Sequence, residues 1–245
     1  MNQIMHGSQQ NIQKMDKVVG ILGGMGPKAT VDFMSKIIEQ TRVITEQDHL
    51  RMLVYNNPKI PSRIDAFKPE NPSPLPELIR TAVTLEQGGA DYIMIPCHSA
   101  HYWLDELQQS ISIPIYSIVA CTIENIQLRH DLEKILLIAT ETTLRSGLYQ
   151  QAFSKLPVQL LLPAPNEQVL IQHIIHMIKT NSNSLYNGII DLRDMLNEYK
   201  KKSVHTAIAG CTEIPLILTH LDHDFEFIDP SLLLARKAVE LSLST

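Results

Sequence analysis

Cys97 and Cys211 are the residues whose types and placing most suggest chemistry. Each follows a short apolar run and has a hydroxyl residue just beyond it: Ile95-Pro96-Cys97-His98-Ser99 in one case, Ala209-Gly210-Cys211-Thr212 in the other. A free cysteine titrates at about pH 8.5, and helix N-termini or nearby cations lower that value, so thiol and thiolate are both accessible near neutrality. Two cysteines on opposite walls of a cleft can take a proton from one face of a carbon and return one to the other face. That is what inverting a stereocentre requires. A lone cysteine is more often a buried, inert packing residue, and Cys121, which has no counterpart, reads that way. Cys97, His98 and His101 could instead ligate a metal, but no Cys-x-x-Cys partner completes such a set.

Three further features belong near these cysteines. Gly20-Ile21-Leu22-Gly23-Gly24-Met25-Gly26-Pro27 follows a strand-like run and opens a helix. Its Gly24, Gly26 and Ala29 fit the dinucleotide fingerprint, but the next strand ends in Asn56-Asn57 rather than an acidic residue. Pro27 also removes a backbone N–H that a pyrophosphate would use. The better reading is a tight turn where a small ligand approaches backbone. Asn56 to Arg63 (NNPKIPSR) is a proline-stiffened loop presenting Arg63, a cation suited to bidentate carboxylate contact. A surface arginine is the plainer alternative. Lys179 ends a helical pattern, where a cation is favoured by the helix dipole in any case.

The elements that must position these residues alternate. Strands are predicted at Lys17–Leu22, Leu50–Tyr55, Tyr92–Ile95, Ile113–Ile118, Lys134–Ala139, Val158–Leu162, Thr206–Ala209 and Phe225–Ile228. Helices are predicted between them, at Pro27–Gln40, Pro74–Gln87, Ala100–Gln109, Thr122–Arg129, Gly147–Lys155, Asn166–Lys179, Tyr186–Lys200 and Ser231–Leu243. This is the α/β pattern of parallel sheets. The strands fall into two sets of four. Lys17-Val18-Val19 resembles Lys134-Ile135-Leu136 at an offset of 117, Ile95-Pro96-Cys97 resembles Ala209-Gly210-Cys211 at 114, and Ile113 answers Phe225 at 112. We therefore expect two similar parallel-sheet α/β domains related by a pseudo-twofold duplication. The active site is expected in the cleft between them, because ligands of open parallel sheets bind beyond the carboxyl ends of the strands. The expected boundaries are a disordered tail over 1–16, a first domain of 17–120 plus 225–245, and a second of 121–224.

Composition narrows the class. The chain has 245 residues, 44% of them apolar and 19% charged, which suits a folded protein with a sizeable core. A net charge of −5 with no Lys/Arg stripe argues against nucleic acid as a partner. No run approaches the roughly 18 apolar residues of a membrane span. Three widely spaced cysteines make no disulfide framework, so a cytoplasmic, reducing setting is expected.

With these residues in view, the chain resembles the aspartate/glutamate racemase superfamily, and most its aspartate racemase branch. The carrying segments are Gly20 to Thr30 (GILGGMGPKAT), Asn56 to Arg63, Pro96 to His101 (PCHSAH), Ala139 to Gly147 (ATETTLRSG), Gly210 to Pro215 (GCTEIP) and Ile228-Asp229-Pro230. The resemblance implies a cofactor-independent, two-base racemase acting on aspartate or glutamate, with Cys97 and Cys211 as the catalytic pair. It implies that Arg63 and Lys179 recognise the side-chain carboxylate. Met25, Asn57, His98, Ser99 and Thr212 would line the substrate pocket. It further implies a small-molecule substrate, no metal, and a homodimer. The sequence departs from the family where Pro-Cys-Asn-Thr-Ala-His is usual: His98 and Ser99 stand in place of Asn and Thr. Ser62 replaces a usual Asp, and Thr142 a usual Gly. A maleate-type cis/trans isomerase, or an amino-acid-binding protein without turnover, are the alternatives these departures raise.

Overall fold

The fold was analysed in a computed structural model, which describes residues 17–63, 66, 70–182, 184–221 and 225–243. The predicted tail over 1–16 lies outside the described residues. Eight strands run β1 Val18–Gly23, β2 Arg51–Asn56, β3 Tyr92–Met94, β4 Ile115–Tyr116, β5 Lys134–Ala139, β6 Gln159–Leu161, β7 Thr206–Gly210 and β8 Glu226–Ile228. The α-helices are α1 Pro27–Gln40, α2 Leu75–Gln87, α3 Leu104–Gln109, α4 Ile118–Gln127, α5 Glu141–Arg145, α6 Leu148–Phe153, α7 Pro165–Thr180, α8 Leu185–Lys201 and α9 Pro230–Leu243. Short 3-10 segments at His98–Trp103 and Ile214–His220 follow the two cysteines.

The strands form two four-stranded sheets with the same order, β2-β1-β3-β4 and β6-β5-β7-β8. All pairings are parallel. Identical topology at the offsets seen in the sequence is the structural form of the expected duplication. The inner strands β1, β5 and β7 are buried almost throughout, as parallel strands covered on both faces must be. Their side chains alternate between two cores. In β5, Ile135, Leu137 and Ala139 join a core shared by both sheets with α1, α4, α6 and α9, while Leu136 and Ile138 face a second core with α7 and α8. In β1, Val19 and Ile21 enter the shared core and Leu22 a third cluster with α2.

The sequence reading assigned 225–245 to the first domain; within the described residues 225–243 the contacts run to both halves. β8 pairs with β7 in the second sheet, whereas α9 packs back against α1 and α4. The crossing is fixed at Asp229. One carboxylate oxygen accepts from the backbone N–H groups of Ser231 and Leu232, and the other pairs with Lys36 of α1 at 2.8 Å. Among the described residues, no helix is long and apolar enough to cross a membrane.

The glycine loop after β1 is shaped by close approach rather than by a nucleotide. Gly24 has φ +100°, and a Cβ there would sit 2.3 Å from the backbone carbonyl of Asn57. Both the left-handed backbone and the contact exclude a side chain. Gly24→Ala is expected to cost about 2 kcal/mol or more, a fall in Tm of about 4–8 °C for a chain of this size. An unchanged melting curve would contradict this reading of the loop.

Candidate active site

The carboxyl ends of the two sheets face each other, and every loop singled out from the sequence lies where they meet. Bonds between the halves tie these loops together. Gly26 N–H, after β1, donates to Glu213 Oε1 at 3.0 Å. Thr212 Oγ1, after β7, donates to the carbonyl of Pro96 at 3.1 Å. Thr142 Oγ1, after β5, donates to the carbonyl of Arg63 at 3.2 Å. Lys28 donates to Asn181 Oδ1.

Cys97 and Cys211 are both buried, with free thiols. Cys97 lies three residues past β3, at the N-cap of the 3-10 segment, with its Sγ 3.5 Å from Ser99 Oγ. Cys211 follows β7 directly, and its thiol donates to Glu213 Oε2 at 2.9 Å. Burial, and then the negative charge of Glu213, push the Cys211 thiol well above the ordinary range, with Lys179 opposing. Cys211 therefore rests as a thiol.

Lys179, in the last turn of α7, points into the same place. Its ammonium is 3.7 Å from Glu213 Oε2, and its stem passes about 4.0 Å from where a Cβ on Gly26 would be. Burial acts to strip its proton, but the charges of Glu213, Cys211 and Cys97 outweigh burial and raise its pKa, with Arg63 opposing. One ammonium thus feels both cysteines and Arg63. The contacts agree: the loops after β1, β3 and β7 and the last turn of α7 meet around Glu213 and Thr212.

Glu213 was missed in the sequence reading, although it stands inside the quoted segment Gly210 to Pro215. The available signal was a carboxylate set between a buried strand and Ile214-Pro215. A charged group there must be buried, and buried charges need partners. Here the partners are the Gly26 N–H, the Cys211 thiol and Lys179.

The remaining expected residues divide. Arg63 donates from one guanidinium nitrogen to the carbonyls of Ile60 and Pro61, while its buried Nε has no partner among the described residues. Met25 is buried in the cluster that holds Cys97 and Ile60. Asn57 is held by α2 and by its own loop: Nδ2 donates to Thr81 Oγ1 at 3.2 Å, and Oδ1 accepts from Lys59 N–H at 3.0 Å. It shapes the loop that carries Arg63. His98 is buried beside Tyr149, with Nδ1 3.0 Å from the phenol oxygen. His101 cannot serve as the metal ligand weighed above. Its Nδ1 faces the Cys97 carbonyl at 2.9 Å, and its Nε2 accepts from Ile118 N–H at 3.1 Å. Burial holds its pKa down at about 4, so both bonds are those of a neutral ring. Cys121 sits in the first turn of α4, within the shared core, and burial pushes its thiol up to about 11.

Comparison with known proteins bears on family and fold. The model of the Asp/Glu/Hydantoin racemase family matches residues 22–238. The chain is 30% identical over 232 residues to the broad specificity amino-acid racemase RacX of Bacillus subtilis, covering 93% of this chain and 99% of that one. Among solved structures it is similar to the aspartate racemase of Picrophilus torridus, with a TM-score of 0.83, 28% identity, and coverage of 92% and 94% of the two chains. Glutamate racemase from Francisella tularensis, solved with D-glutamate, shares the fold at a TM-score of 0.63 and 18% identity, with 93% and 81% covered.

Proposed function

The chain belongs to the Asp/Glu/Hydantoin racemase family, and from that premise we propose that it interconverts L- and D-aspartate by passing the α-proton between Cys97 and Cys211, without a cofactor. What supports this reading is the geometry where the two sheets meet. The Cys211 thiol lies 2.9 Å from Glu213, whose carboxylate also accepts from Gly26 N–H of the other half and lies 3.7 Å from the Lys179 ammonium. Thr212, beside Cys211, donates to the carbonyl of Pro96, beside Cys97. In the direction that starts with Cys211 as the thiol, Cys97 is the base. Cys97 thiolate takes the α-proton from one face and becomes a thiol. Cys211 delivers its proton to the other face and becomes a thiolate. The enzyme then stands ready for the opposite enantiomer, which resets both groups.

Glu213 and Lys179 support this exchange, one for each state of Cys211. The Glu213 carboxylate accepts the Cys211 S–H when that group is a thiol. Lys179, beside it, offsets the charge when Cys211 is a thiolate. Donors aimed at the α-carboxylate must stabilise the charge that grows as the proton leaves. The homodimer is part of the same proposal.

Arg63 and Lys179 give the site its preference for a second carboxylate. Arg63→Ala is expected to raise the KM for aspartate about 10- to 100-fold, the cost of losing charge-assisted hydrogen bonds. Alanine and serine should be turned over about as before, because they have no carboxylate for Arg63 to hold. Steady-state kinetics with the three amino acids checks this. Equal losses for all three would remove the side-chain assignment and favour a broad-specificity racemase.

A further inference from the structure

His101 is buried, 3% exposed, and both of its ring nitrogens are bonded to backbone. Nε2 is 3.1 Å from the backbone nitrogen of Ile118, whose N–H can only donate, so Nε2 is an acceptor. Nδ1 is 2.9 Å from the carbonyl oxygen of Cys97, which can only accept. The single hydrogen of the neutral ring must therefore sit on Nδ1. The carbonyls of Cys97 and Tyr116 favour a second proton, but burial outweighs both and holds the pKa at about 4.

These two bonds join two exits from the first sheet. Cys97 follows β3, and Ile118 opens α4 just after β4. The Ile118 N–H belongs to the first turn of α4, where the helix has no acceptor of its own to offer. On the other side of Cys97, its N–H donates to the carbonyl of Ile95 at 2.8 Å. Both peptide groups flanking the Cys97 Cα are thus hydrogen-bonded, and the direction of its Cα–Cβ bond follows from them. The thiol is aimed by its backbone, and a reacting group must be held within about 0.5 Å of its productive place.

We propose that His101, an Nδ1–H donor braced on the start of α4, is a positioning residue that aims the Cys97 thiol at the substrate α-carbon. The inference rests on the racemase reading for what Cys97 does, but not for the tautomer or the bracing.

Nitrogen-15 NMR of histidine-labelled protein checks the tautomer first. At pH 7, His101 should show a protonated Nδ1 and a bare Nε2. An Nε2–H tautomer or an imidazolium would overturn the proposal. Two variants then separate the two bonds. The amide of asparagine reaches about as far as Nδ1, and that of glutamine about as far as Nε2. His101→Gln can still accept from Ile118 but releases the Cys97 carbonyl. It should lower kcat for aspartate about 10- to 100-fold, the cost of a misplaced reacting group, with KM little changed. His101→Asn can still donate to Cys97 and leaves the buried Ile118 N–H unpaired. It should recover most of the lost kcat while melting at a lower temperature. Equal losses, or the reverse order, would overturn the proposal.

Aspartate deuterated at Cα supplies a readout that packing alone would not move. When Cys97 is misaimed, its own proton transfer becomes the slow step. In His101→Gln the isotope effect should rise, relative to the parent, for the enantiomer that Cys97 deprotonates, and fall for the other. Equal changes for L- and D-aspartate would remove the positioning role and leave the racemase reading standing. Absence of α-proton exchange in the parent protein would overturn the racemase reading, and the role of His101 with it.

Discussion

Cys97→Ala and Cys211→Ala should each abolish racemisation of aspartate, with losses of about 10²–10⁴-fold, the usual contribution of a positioned acid or base. The two losses should not add when the variants are combined. A proton relay through two groups fails when either is gone, and removing the second costs little more. Both cysteines are nearly inaccessible in the folded chain, and replacing a buried thiol with a methyl group removes little volume, so both variants should fold. Circular dichroism and a thermal melt verify this before kinetics are compared. A variant that keeps near-normal turnover without one of the thiols would contradict the two-base scheme and leave a single-base or non-racemising site.

Glu213→Gln is the second change with a large expected effect, and its sign follows from the charges. Burial is the largest cause of the raised Cys211 pKa, and the negative charge of Glu213 is the next. Removing that charge leaves burial in place but lowers the pH at which the thiolate forms. The amide oxygen can still accept from Gly26 N–H, so the loop tie survives, while the group facing Cys211 changes from acceptor to donor. Peptide-resolved alkylation across pH should therefore show Cys211 reacting at lower pH in the variant than in the parent. Racemisation should fall by about 10²-fold or more, since the cysteine no longer rests as a thiol ready to donate. Alkylation at an unchanged or higher pH would mean that the 2.9 Å contact between Cys211 and Glu213 does not govern the thiol.

Much of this architecture was legible in the chain. The inner strands announced themselves as short, uninterrupted apolar runs, because parallel strands covered on both faces have no polar side to display. The first helix was readable to its ends, with Pro27 at its first turn and Thr41 closing it. What failed to show depended on hydrogen bonds rather than on pattern. Ile113–Ile118 read as one β-run, but only Ile115–Tyr116 is strand. Ser117 accepts from Ala120 N–H and starts α4 four residues earlier than the periodicity suggested. The short helix Glu141–Arg145 was absent from the reading, and Thr140 caps it in the same way. The repeat put Phe225–Ile228 in the second set of four, and β8 does pair with β7 there; it is the boundary at 225 that did not follow the repeat.

The site was legible to the same degree and for the same reason. Two cysteines at equivalent repeat positions pointed to one cleft. The structure brings Lys179 to Glu213, two residues from Cys211, and holds Asn57 by bonds to Thr81 and Lys59. Thr212 donates its hydroxyl hydrogen to the Pro96 carbonyl, beside Cys97. Glu213 acquires its role through partners that include Gly26 in the other half of the molecule. Contacts across a duplication axis leave no spacing signal in a single chain.

The central claim is that an α-proton is taken and returned by two thiols on opposite faces. The most direct measurement is exchange at that carbon: incubate the protein with L- and with D-aspartate in D₂O and follow the Cα–H signal by NMR alongside optical rotation. Deuterium should enter from both enantiomers, accompanied by inversion, and inversion should be lost in both Cys97→Ala and Cys211→Ala. Absence of exchange with either enantiomer of aspartate, or inversion that survives in either variant, would contradict that claim.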